Sequence, residues 1–180
     1  MRQNTQPNDF LPTDYVAPKG NSNYMKFEKG ENKFRILSKP IIGWEDWENK
    51  KPLRFRMNEK PDRAIDAQKP IKHFWAFICF NYSKNEIQIM EITQKSIQSA
   101  IEQLAKDADW GSPFEYDIKV IKEGDGMDTE YTINPVPHKL VSADILDAFH
   151  NKPCNLELLF DGKDPFDKPE VITCLNDMTL

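Results

Sequence analysis

The stretch KPIKHFWAFICFNY, residues 69–82, constrains this chain more than any other. Its aromatic and β-branched content predicts a strand over 73–82, yet both faces of that strand are apolar. His73, Trp75, Phe77 and Cys79 point one way, and Phe74, Ala76, Ile78, Phe80 and Tyr82 the other. A strand in a small antiparallel sheet ordinarily shows one face to the core and one to water. Either both faces are covered, one by a barrel interior and the other by a packed helix, or one face is a platform for a ligand.

The rest of the chain indicates which sheet holds this strand. Residues 1–22, MRQNTQPNDFLPTDYVAPKGNS, are aperiodic and rich in Pro, Asn and Gln, which predicts a flexible arm. GENKFRILS (30–38) predicts a strand after a glycine turn, and PIIGWEDWE (40–48) a second strand with Gly43 as a bulge. Residues 49–72 contain three prolines, which exclude a long helix and predict a loop with LRFR as a short strand inside it. After strand 73–82, SKNE turns the chain into IQIMEI (87–92) and completes a hairpin. Thr93 is placed to cap a helix over 94–107, where Ile97, Ala100, Ile101 and Leu104 share one face. FEYDIKVIK (114–122) and TEYTIN (129–134) make a second hairpin about the turn EGDGMD. A short helix at 142–150 capped by Ser142, the apolar run CNLELLF (154–160) and an acidic tail (161–180) follow. Strands, one helix, then a strand hairpin is the order of an OB-fold, a mainly β, five-stranded, partly open Greek-key barrel. The expected organisation is an arm over 1–22, a nucleic-acid-binding OB domain over 23–141, and a short helix with an acidic tail over 142–180.

Charge supports that reading. The net charge of −5 hides an asymmetry: residues 26–84 hold 14 Lys/Arg against 8 Asp/Glu, whereas residues 85–180 hold 8 against 19. The first part suits an anionic ligand and the second stays off it. An OB-fold presents an aromatic strand face and a basic groove to single strands, each base stack contributing about 1–3 kcal/mol. The expected stacking residues are Trp44, Trp47, Phe55, Trp75 and Phe77. The expected phosphate contacts are Lys33, Arg35, Lys50, Lys51, Arg54, Arg56, Lys60, Arg63, Lys69 and Lys72. Of the two faces of 73–82, the Trp75/Phe77 set is expected to meet the ligand, because the polar His73 shares it. The Phe74/Ile78/Phe80 set suits a barrel core.

Other chemistries find little support. No run approaches the roughly 18 apolar residues of a membrane span, and no signal-peptide core is seen, so no membrane partner is expected. Cys79, Cys154 and Cys174 are scattered without a CxxC, which points to a reducing cytoplasm. His73, His138 and His150 are equally scattered, so neither a metal nor a cofactor is expected. There is no GxSxG, Walker loop or HExxH. Asp117 and Lys119 of YDIK form half of a D-x-K nuclease pattern, with Asp62 as a distant second half, but such alternation is far more often a solvated strand face. No catalytic residue is expected. The alternative function is a protein-interaction adaptor on the same barrel, whose aromatic strand docks a peptide or packs a dimer. Monomer and dimer both remain open.

Four stretches carry a resemblance. NYMKFEKGENKFRILSKPIIGWEDW, KPIKHFWAFICFNY, IQIMEITQKSIQSAI and DWGSPFEYDIKVIKEGDGMDTEYTI resemble phage-encoded single-stranded DNA-binding proteins. They are similar in layout to the helix-destabilising protein family of T-even phages. The shared grammar is a G-x-N-x-x-R-I-L strand, an aromatic FWAF strand, an I-T-Q-K-x-I helix start and a Y-D-I-x-V-x-x-x-G strand, over roughly residues 23–135. The resemblance implies an OB-fold and cooperative coating of single-stranded DNA during phage replication or recombination, in the bacterial host cytoplasm. It also implies an acidic C-terminal tail that recruits replication or recombination proteins. RNA is not separated from DNA by these residues. Two departures stand out. Residues 49–72 contain no Cys or His where the T-even proteins carry a zinc subdomain, and residues 1–22 are neutral overall where those proteins carry a basic arm.

Overall fold

The computed structural model describes residues 22–167. The expectations of an arm over 1–22 and a tail over 161–180 fall outside that range, except at Ser22 and at residues 161–167. The described chain is mainly β. Its strands are β1 (Tyr24–Met25), β2 (Gly30–Ile36), β3 (Ile41–Glu48), β4 (Lys51–Arg56), β5 (Lys72–Asn81), β6 (Glu86–Ile92), β7 (Asp117–Glu123) and β8 (Glu130–Pro135). Helix α1 (Lys95–Lys106) lies between β6 and β7, and α2 (Ala143–His150) follows β8. No helix among the described residues is long and apolar enough to cross a membrane.

All eight strands join one sheet in the order β1-β6-β5-β2-β7-β8, with β3 pairing β5 and β4 pairing β3. The expected count of five is therefore corrected to eight. Six segments of sequence already read as strands, one more than that fold holds; the other two are the two-residue β1, parallel to β6, and Lys51–Arg56, which pairs along its length with β3 where mostly loop was expected. Pro52 is tolerated there because β4 has only one ladder partner and is an edge strand. The sheet stays open: β1 and β8 are its two ends, and α1 packs beside β8.

Strand β5 organises the molecule. One of its edges pairs with β6 from Trp75 to Asn81. Its other edge is shared, β3 taking Lys72–Ala76 and β2 taking Cys79–Asn81. Between them Leu37 N donates to Ile78 O at 2.9 Å, and Ile78 N donates to Ser38 Oγ at 2.8 Å. Segment 30–48 thus follows β5 as one bent strand.

Both faces of β5 are buried over most of its length. On one side Phe77 and Cys79 pack with Phe34, Met90, Ile92, Ile118 and Val120 under Ile97 and Ile101 of α1. On the other, Phe74, Ala76, Ile78 and Phe80 pack with Ile145, Phe149, Cys154, Leu156 and Leu159. Fully burying each Phe, Ile, Leu or Met side chain among them contributes about 1.5–3 kcal/mol. Residues 142–160 are therefore a second covering layer of the sheet, and the expected boundary at 141/142 is no break in the packing.

Two local expectations change. Helix α1 starts with Gln94 at its N-cap and no side-chain capping bond, so Thr93 is not its cap; Ser142 does stand at the N-cap of α2, without a side-chain bond. Gly43 is not a bulge, since register runs unbroken through it to both Arg56 and Phe74. It is needed for room: a Cβ there would collide with the Phe55 carbonyl and press on the Phe74 and Phe160 rings.

Candidate nucleic-acid interface

The first face of β5 is covered by α1 only at one end. Side chains opposite one another in an antiparallel pair share a face, and alternate residues along a strand share a face. Trp44 of β3 is opposite both Phe55 of β4 and His73 of β5, and Ile42 is opposite Trp75. Phe55, Trp44 and His73 therefore form a row across three strands, with Ile42 and Trp75 in the next row. None of the five is buried, and Ile42 is 39% exposed. The row is tied together: the Trp44 and His73 rings meet edge-on at 5.3 Å, and Trp44 Nε1 donates to Met57 O at 3.2 Å.

The platform ends where α1 begins. Gln98 Nε2 donates to the carbonyls of His73 (3.2 Å) and Ile92 (2.8 Å), fixing the helix against β5. Phe77, further along the strand, lies beneath that helix at 2% exposure. It presents no ring for stacking, and its expected role is corrected to core packing. Trp47 is 39% exposed but sits on the opposite face of β3 from Trp44, with its Nε1 donating to Glu45 Oε1 at 2.9 Å.

The cations sort by burial. Arg35 is 1% exposed, its Nε bonded to Asp117 Oδ1 at 2.5 Å and its Nη1 to Lys139 O at 2.9 Å. It cannot reach a phosphate, and its expected role is corrected to a structural one. Asp117, held by Arg35, Lys33 and the Tyr82 hydroxyl, is likewise not a metal-facing nuclease carboxylate. Arg54 is 7% exposed and paired with Glu91 at 2.7 Å, so it too is structural. Lys33 is one-third exposed, pairs with Asp117 and lies over the Tyr82 ring. Arg56 is about half exposed, pairs with Glu157 at 2.7 Å and covers the Phe160 ring.

Lys50, Lys51, Lys60, Arg63, Lys69 and Lys72 are exposed. Lys69 pairs with Asp66, whereas the other five make no ion pair among the described residues. Lys50 and Lys51 sit at the turn of the β3–β4 hairpin, where Asn49 and Lys50 take positive φ. Lys60 places its ammonium 4.1 Å from the Trp44 ring centroid. The connecting loop 57–71 is pinned beside the platform by Asp46, whose buried carboxylate accepts from Ile65 N at 2.9 Å. That loop also leaves Met57 and Ile65 about half exposed, two apolar neighbours that sequence reasoning missed because they lie outside any periodic segment. Among the described residues no group of His, Cys, Asp or Glu is placed to hold a metal ion. The arrangement is a partly exposed aromatic and apolar surface with exposed, unpaired cations nearby, which fits stacking and phosphate contact.

No family model and no solved structure matches the chain. A search of curated proteins finds similarity to a protein of Escherichia phage T5 named as a probable single-stranded DNA-binding protein. The two are 25% identical over a 142-residue alignment, which covers 63% of this chain and 54% of the relative. The chain thus spans about half the length of the curated relative it matches. The similarity to phage-encoded single-stranded DNA-binding proteins, read first from four stretches of sequence, is found again in this comparison.

Proposed function

We propose that this protein binds single-stranded DNA without sequence preference and coats it during phage replication or recombination in the host cytoplasm. The observation that carries the reading is the partly exposed Phe55–Trp44–His73 row, with Lys60 over the indole and Lys50 and Lys51 exposed at the turn of the same hairpin. Bases stack on Trp44, Phe55 and Trp75, and the Lys60 ammonium leaves the indole face to meet a phosphate. The name of the phage T5 relative supports the same ligand. The order β2, β5, β6, α1, β7, β8, with β3–β4 as an inserted hairpin, supports an OB-like barrel whose last seam is left to α1.

The test is fluorescence anisotropy with labelled oligo-dT, duplex DNA and oligo-U of equal length, at several salt concentrations. Tighter binding to oligo-dT than to duplex, weakened by salt, is the expected result. Equal or tighter duplex binding, or no salt dependence, overturns the reading. The exposed Ile42, Met57 and Ile65 favour one competing reading, an adaptor that docks an apolar peptide. Absence of nucleic-acid binding at low salt would support it.

A further inference from the structure

The rings of the platform ride on two supports. His73 and Trp75 belong to β5, while Trp44 and Phe55 belong to the β3–β4 hairpin. Strand β4 pairs with β3 alone, and β3 is joined to β5 only through Ile41–Glu45. On the face of the sheet opposite Trp44, two side chains tie the outer strand back to the body: Arg56, which pairs with Glu157 at the exposed margin, and Arg54, whose side chain is buried. Arg54 of β4 reaches over to Glu91 of β6, with Nε at 2.8 Å and Nη2 at 2.7 Å from Glu91 Oε2. Glu45 of β3 lies between them, its Oε2 3.8 Å from Arg54 Nη2.

Two carboxyl groups thus face one guanidinium, and the three side chains are 4%, 7% and 19% exposed for Glu45, Arg54 and Glu91. The buried Glu45 Oε2 accepts no hydrogen bond, Arg54 Nη2 standing too far off to donate one. A net negative charge in such a place is expensive, and two carboxyls side by side relieve it by sharing one proton. We propose that Glu91 is a positioning residue for the single-strand platform. As a neutral acid bonded to Glu45 and Arg54 it locks the hairpin over β6, and loss of its proton loosens the hairpin and the Trp44 and Phe55 rings with it. The proposal rests on the reading of that surface as the single-strand site.

The direction with pH follows from the surroundings. Burial, then the Glu45 carboxyl, push Glu91 up to about 8, while Arg54 pulls the other way. The other groups near the cluster are Tyr24 of β1, Lys72 opposite Glu45, and Asp164 and Cys154 from the C-terminal layer; Lys51 and Lys163 line the adjoining 670 Å³ cavity. Burial pushes both Tyr24 and Cys154 upward, so both stay neutral where Glu91 titrates. A raised carboxyl value means that the locked state holds a proton the loosened state releases. The lock is strongest in acid, weakens as pH rises above the ordinary carboxyl range, and levels off above about 8.

The experiment measures oligo-dT affinity of the full chain from pH 6.5 to 9.5 at fixed ionic strength, beside two readouts without DNA. These are the Trp47 fluorescence, taken as the difference between the wild type and Trp47→Phe, and hydrogen exchange of the β4 amides. Trp47 reports directly because its indole donates to Glu45. In the wild type the dissociation constant is expected to rise between pH 6.5 and 8 by about three- to tenfold and to level off above that, in step with the hairpin readouts. Glu91→Gln, which keeps a neutral hydrogen-bonding group, is expected to flatten all three profiles. Glu91→Ala is expected to weaken binding at every pH, with Gln restoring it. Equal pH profiles in wild type and Glu91→Gln overturn the proposal, whether or not the alanine variant folds. Hairpin readouts that titrate while affinity stays flat uphold the lock and overturn the platform as the single-strand site.

Discussion

Trp44 sits in the middle of the aromatic row, with Phe55 and His73 on either side and Lys60 over its ring. Because Trp44 is partly exposed, Trp44→Ala is expected to cost single-strand binding about 1–3 kcal/mol, roughly tenfold or more, with a smaller loss of melting temperature than a core truncation causes. Anisotropy and thermal unfolding on one preparation check both halves. Phe77→Ala is expected to behave oppositely, destabilising the fold by about 3–5 kcal/mol in urea. Asp117→Ala should cost a similar ~3–5 kcal/mol, because it strands the buried Arg35 guanidinium without its counter-charge. Sequence could name these residue types but not sort them. Arg35 and Lys60 look equally basic on paper; Asp117, far along the chain, is what removes Arg35 from the surface.

At the scale of elements, the hairpin β3–β4 is the part that departs most from expectation. Its register puts Trp44 and Trp47 on opposite faces, so two tryptophans three residues apart do different work. The backbone of this hairpin also approaches the C-terminal layer closely at Gly43. Gly43→Ala is expected to lower the melting temperature, since the Phe55 carbonyl leaves no space for a methyl group. The C-terminal layer is part of the fold: Asn155 N donates to Pro165 O at 2.8 Å, and Lys152 lies over the Phe166 ring. A chain cut after Phe160 should therefore melt earlier than the full chain, which calorimetry reads directly.

For the whole molecule the charge split takes a spatial form. The β3–β4 hairpin and its following loop branch from the Lys72–Ala76 end of one edge of β5, whereas β7 and β8 lie beyond β2, which takes the Cys79–Asn81 end of that edge. If phosphates are held by the exposed cations at the first end, log K should fall against log salt with a slope of about −0.7 for each phosphate contact on a single strand. Neutralising Lys60 and Arg63 together should reduce that slope by about 1–2 contacts' worth, without altering sequence preference. Chelation by EDTA should leave both binding and melting unchanged, because residues 49–72 hold no Cys or His.

Sequence alone determined what depends on near neighbours. Alternation and turn residues located β2, β3, β5, β6, β7 and β8, and the spacing of Ile97, Ile101 and Leu104 located α1. The His73/Trp75 face and the nearby cations were legible too, because a strand's two faces follow from a period of two. What only the tertiary structure decided depends on contacts distant in sequence. Helix α1 crosses the His73/Trp75 face midway, burying Phe77 and leaving Trp75 half open, and no local pattern states where a helix will lie. Residues 145–159 cover the second face, which is why β5 could be apolar on both sides. The pairing of Arg54 with Glu91 and of Arg35 with Asp117 likewise spans strands brought together by folding, and that pairing alone separates the cations that build the protein from those left free for an anion.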